Sequence, residues 1–83
     1  SDPVFYSNRA LVYIKLNRFH EAISDCTASI ERKPSIKAYA RRAAGWASLN
    51  RFALAAEDYK KALKFEPRNQ DCLQELNKVR QYF

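Results

Sequence analysis

With 83 residues, 47% of them apolar and 29% charged, the chain has the make-up of one small folded domain rather than of a disordered segment. Its Lys and Arg outnumber Asp and Glu by 15 to 9, a formal net charge of +6 that favours acidic partners without choosing among a peptide, a nucleic acid and an anionic membrane surface. A single Gly, a single His and two Cys in no ligand-like spacing exclude a glycine-rich phosphate loop, a disulfide framework and a His-based catalytic or metal centre.

Periodicity predicts a helix over about residues 3–16, where Tyr6, Ala10, Tyr13 and Leu16 step by four, three and three along one face. Leu16-Asn17-Arg18-Phe19 follows as a turn, with Asn17 suited to the left-handed conformation that ends a helix. A second helix is expected at 20–32, carrying Phe19, Ala22, Ile23, Cys26 and Ile30 on its apolar side. Small side chains at Ala10 and Ala22 let the two helices cross closely. Pro34 then stops the pair, since it lacks an N–H and keeps its predecessor out of the helical region.

The same plan returns 33 residues later, with helices expected at about 36–49 and 53–65. Leu49-Asn50-Arg51-Phe52 repeats the turn, Tyr39 falls under Tyr6, Arg42-Ala43 under Arg9-Ala10, Asp58 under Asp25 and Pro67 under Pro34. A last helix is expected at 70–82, its Cys72, Leu73, Leu76 and Val79 forming the single apolar face that seals the end of a repeat stack. At the front, Val4 and Phe5 stand without an evident cap, which opens self-association through the N-terminal hairpin. The expectation is therefore an all-α chain of stacked antiparallel helical hairpins: repeat one at 3–34, repeat two at 36–67 and a capping helix at 70–82.

These positions resemble the tetratricopeptide repeat pattern: Tyr6, Ala10, Tyr13, Ala22, Cys26 and Pro34, then Tyr39, Ala43, Trp46, Ala55, Tyr59 and Pro67. The first repeat departs by placing Cys26 where an aromatic is usual, and both repeats carry an Arg, Arg9 or Arg42, at a usually apolar site. The resemblance implies a right-handed α-solenoid that binds proteins, without catalytic residues or cofactor, in a longer cytoplasmic or nuclear protein. No stretch reaches the ~20 apolar residues of a membrane span, and no leader pattern opens the chain.

The segments around Tyr6-Ser7-Asn8-Arg9-Ala10 and Lys37-Ala38-Tyr39-Ala40-Arg41 further resemble the carboxylate clamp of co-chaperone repeat domains. That class grips the acidic C-terminal tail, ending Glu-Glu-Val-Asp, of cytosolic heat-shock chaperones. Carried over, Asn8, Lys37 and Arg41 become the peptide-binding residues: a neutral donor, a compact charge and a bidentate fork. Lys37 and Arg41 are four apart on one helix face, and no Asp or Glu lies between Glu31 and Glu57 to neutralise them. The clamp of the class has a further Lys and Asn in an earlier hairpin, so this chain is expected to hold about half of one. The tail segment Asn69 to Lys78 is similar to co-chaperones that link chaperones to assembly of RNA polymerase and dynein complexes.

Other side chains are expected to be structural. Arg9 and Arg42 pack their stems between helices, Lys60, Lys61 and Lys64 form a solvated outer face, and His20 sits at a helix end. Tyr6, Tyr13, Tyr39, Trp46 and Tyr59 are expected in the core rather than as a base-stacking platform. The charge would permit nonspecific nucleic-acid affinity at low salt, but no base-reading element is present. A self-associating repeat scaffold without a clamp ligand is the competing function.

Overall fold

The computed structural model describes residues 2–83, which form five helices: α1 (Pro3–Lys15), α2 (Phe19–Arg32), α3 (Ile36–Ser48), α4 (Phe52–Phe65) and α5 (Gln70–Arg80). Each helix packs mainly on its successor, and α1 also touches α3. The result is a slab of 35 × 25 × 17 Å in which α1, α3 and α5 form one layer and α2 and α4 the other.

Helix boundaries follow from local chemistry. Asp2 caps α1 by accepting from the Val4 amide at 2.9 Å, with Pro3 in the first turn where a missing N–H is harmless. Ser35 and Asn69 cap α3 and α5 in the same way, accepting from the amides of Ala38 and Cys72. Neither α2 nor α4 has a side-chain cap, because each starts directly from a tight turn. In that turn Asn17 and Asn50 both take φ 60°. The amide of Asn17 donates to Ile14 O at 3.0 Å and that of Arg18 to Tyr13 O at 2.8 Å; Asn50 and Arg51 repeat this onto Ala47 O and Trp46 O at the same distances. This is the Schellman closure, with Asn in the place glycine usually takes. Helices α1 and α3 end a residue earlier than periodicity suggests, because Leu16 and Leu49 serve as their C-caps. Helix α5 likewise stops at Arg80, two residues short of its expected end.

Small side chains make the deepest core. Ala10, Ala22 and Cys26 are fully buried between α1 and α2, and Ala43, Ala55 and Ala62 between α3 and α4. Leu76, Val79 and Cys72 of α5 close the second hairpin. The aromatic residues depart from expectation: only Tyr59 is buried, while Tyr6, Tyr13, Tyr39 and Trp46 are half-buried. The three tyrosines among these carry guanidinium groups over their rings, Arg32 lying 4.5 Å from the Tyr6 ring centroid, Arg18 5.3 Å from that of Tyr13 and Arg42 5.6 Å from that of Tyr39.

Arg9 and Arg42 also depart from expectation. They are not simply stems packed between helices but one half of a repeated ion pair. Arg9 donates to both carboxylate oxygens of Asp25 at 2.7 and 2.8 Å, and Arg42 to both of Asp58 at 2.8 and 2.9 Å. Each pair ties the first helix of a hairpin to its second. Arg42 also reaches Thr27 Oγ1 at 3.2 Å, so α3 is pinned to α2 as well as to α4.

Candidate functional site

The N-terminal ends of α1 and α3 and the C-terminal end of α2 meet at a cleft of about 230 Å³. Asn8 and Lys37, two of the three sequence-derived candidates, line it together. Both are exposed on their helices, and Val4, Ser7, Ser29 and Ser35 complete much of the wall. The arrangement is held by two hydrogen bonds. Ser29 Oγ donates to Pro3 O at 2.8 Å, fixing the start of α1 against α2. The Ser35 cap fixes the first turn of α3, which carries Lys37.

Arg41, the third candidate, lies one turn further along α3 and is half-buried. Its Nη1 donates to Ser7 O at 2.7 Å and to Ser7 Oγ at 2.8 Å. Ser7 is itself part of the cleft wall, so Arg41 braces the cleft from its inner side. It also lines the adjoining depression of about 230 Å³, whose floor is Leu11, Ile14, Ala40, Ala44 and Cys72 and whose far wall is Asp71 and Glu75. The three candidates therefore border one continuous surface of α1 and α3, with Arg41 between a polar cleft and an apolar groove.

Lys33 shares the cleft with Asn8 and Lys37, although the repeat pattern does not single it out. It precedes Pro34 in the loop between hairpins, and a cation at that position is the only sequence signal it leaves. Among the described residues the ion pairs are Arg9–Asp25, Arg18–Glu21, Arg42–Asp58 and Lys78–Glu75. Lys33, Lys37 and Arg41 have no acidic partner there. Two of these cations and the amide thus line a cleft without an acidic side chain, while Arg41, beside it, also faces the groove whose far wall is Asp71 and Glu75.

Nothing in this region resembles a reactive centre. Burial pushes the Cys26 thiol up to about 12, against weaker opposition from Arg42 and Arg41, and it pushes the Cys72 thiol and the Tyr59 phenol upward too. Both cysteines are free and buried, and His20 is exposed on α2. The described residues contain no group of His, Cys, Asp and Glu able to hold a metal ion, and no helix long and apolar enough to cross a membrane. Lys60, Lys61 and Lys64 are exposed on α4, as expected, with Lys61 5.9 Å from the Tyr39 ring centroid.

Comparison with known proteins agrees with this architecture. The tetratricopeptide repeat family model matches residues 4–36. The TPR domain of Arabidopsis OM64 superposes with a TM-score of 0.97 at 31% identity, over 100% of this chain and 69% of that one. The chain belongs to the tetratricopeptide repeat family. Its helices accordingly form a right-handed solenoid of two hairpins with a closing helix. A second TPR structure, the first TPR of Spaghetti (RPAP3) bound to the HSP90 peptide SRMEEVD, has a TM-score of 0.94 at 38% identity, over 96% of this chain and 64% of that one. Among curated TPR relatives, mouse RNA polymerase II-associated protein 3 is 41% identical over 81 residues. That alignment covers 96% of this chain, which spans only 12% of the relative.

Proposed function

We propose that this TPR domain is a peptide-binding module of a co-chaperone, taking the acidic C-terminal tail of a heat-shock chaperone into the cleft of Asn8 and Lys37 beside Arg41. The observation that carries the reading is the sharing of one acid-free cleft by an amide of α1 and an ammonium of α3, braced by Arg41 through Ser7. A chain-terminal Asp brings two carboxylates, and these donors can divide them. Arg41 uses one nitrogen on Ser7 and keeps its other N–H groups for a ligand. Charge-assisted bonds of this kind contribute about 1.5–3 kcal/mol each. With the apolar floor of Leu11, Ile14 and Ala44 taking an upstream side chain, three of them suffice for the roughly 8 kcal/mol of a micromolar complex. The domain binds without catalysis and without a cofactor, in the cytoplasm or the nucleus. Repeat one is assigned to residues 3–34, repeat two to 36–67 and the closing segment to 70–82, of which Gln70–Arg80 is helical.

The test is a fluorescence titration with SRMEEVD and with the same peptide amidated at its C-terminus. The free acid is expected to bind at least about tenfold more tightly, since amidation removes one charge-assisted bond. Equal binding of both peptides refutes the clamp.

A further inference from the structure

Residues 33–35 join the two hairpins along an extended path. Lys33 has φ −157° and ψ 108°, and Ser35 has φ −151° and ψ 157°. Extended backbone is the form in which one protein's segment lies in another's groove. This segment reads Arg32-Lys33-Pro34-Ser35, with cations two and three residues before a hydroxyl. A basophilic serine/threonine kinase reads such a pattern with the acidic groups of its own substrate groove. The equivalent stretch after repeat two is Phe65-Glu66-Pro67-Arg68, which has neither the hydroxyl nor the paired cations.

Ser35 is half-buried and lines the same cleft as Asn8, Lys33 and Lys37. The two lysines are exposed and have no acidic partner among the described residues. A phosphate placed on Ser35 Oγ would therefore enter a space already walled by two ammonium groups and an amide.

We propose that Ser35 is a phosphorylation site whose phosphate occupies this cleft and closes it to an acidic chain end. The inference rests on the tail-binding reading above. In the transfer, Ser35 Oγ attacks the γ-phosphorus of ATP. The Oγ–P bond forms as the bond from that phosphorus to the bridging oxygen breaks; ADP leaves with the electron pair, and the hydroxyl proton passes to the kinase's base. The product carries about −1.5 to −2 charge and three strong acceptor oxygens at neutral pH. Because it is tethered beside Lys33 and Lys37, it competes at an effective concentration that a free peptide does not match. The bridging Oγ still accepts from the Ala38 amide, now 3.1 Å away, so α3 keeps its cap.

The purified chain is treated with ATP and a basophilic kinase, and the modified residue is located by mass spectrometry. SRMEEVD binding is then compared before and after, and the phosphate is titrated by phosphorus NMR. Ser35→Asn serves as control, since Asn still caps a helix but accepts no phosphate. Expected are one phosphate at Ser35, none there in Ser35→Asn, peptide binding weakened about tenfold or more, and a phosphate pKa held down until Lys33→Ala and Lys37→Ala release it. Absence of modification at Ser35 on the folded chain overturns the proposal, as does a phosphorylated chain that binds the peptide undiminished. If the unmodified chain fails to bind, the tail reading falls, and the phosphate titration still decides the cleft: a pKa indifferent to both lysines overturns it, and one lowered by them upholds it.

Discussion

At the scale of single residues, charge placement separates the side chains that hold the fold from those left to bind. Arg42 and Asp58 are 17% and 4% exposed at their side chains and joined by two hydrogen bonds. Asp58→Ala strands a half-buried guanidinium and is expected to cost about 3 kcal/mol by urea unfolding. Asp25→Ala, whose partner Arg9 is open to solvent, should cost clearly less in the same experiment. Arg41, by contrast, meets only neutral oxygens. Arg41→Ala is expected to weaken tail binding by about 2 kcal/mol, roughly thirtyfold, with a smaller effect on stability. The candidates Asn8, Lys37 and Arg41 came from the resemblance to the clamp signature; the chain itself adds only that Lys37 and Arg41 share a helix face and that no acid lies between Glu31 and Glu57. The Arg9–Asp25 and Arg42–Asp58 pairs were not legible, although all four residues recur at the repeat interval. Recurrence marks a position as structural without saying which partner lies across the helix crossing. Lys33 and Ser35 escaped for a different reason: a loop has no periodicity to reveal the side it faces.

At the scale of elements, the contact between hairpins depends on Gly45. A Cβ there would lie 2.9 Å from Ile23 Cγ1 and 3.4 Å from Ile23 Cδ1, so α2 and α3 approach more closely than alanine permits. Helix propensity favours alanine by about 1 kcal/mol, but Ile23 is buried and stiff at its β-branch, and overpacking costs about 1–3 kcal/mol. Gly45→Ala is therefore expected to destabilise by about 1 kcal/mol net. Combined with Ile23→Ala it should cost less than the sum of the two changes, which a double-mutant cycle measures. The five helices, their order and the two turns were legible because proline, asparagine and the 3.6-residue stripe each act locally. Burial of the aromatics was overestimated, because an apolar stripe gives the direction of a side chain but not how much of its outer face the neighbours cover.

At the scale of the whole molecule, buried neutral groups set the alkaline limit of stability. The Cys26 thiol is raised from 9.0 to about 12 by burial, and the Tyr59 phenol is raised in the same direction. Both are neutral when protonated, so the unfolded chain loses these protons first as pH rises. The stability these groups contribute should be level below pH 9 and then decline towards pH 12, by up to about 1.4 kcal/mol per pH unit for each group. Urea midpoints across that range check the trend, and Cys26→Ala should make the decline shallower. The stacking has a further consequence. Since α1–α2, α2–α3, α3–α4 and α4–α5 supply nearly all the packing, no strand or crossover among the described residues clamps α1 to α5. Pulled from its ends, the domain has no mechanical lock to shear. It should peel open helix by helix at low force, as a spring lets out its coils.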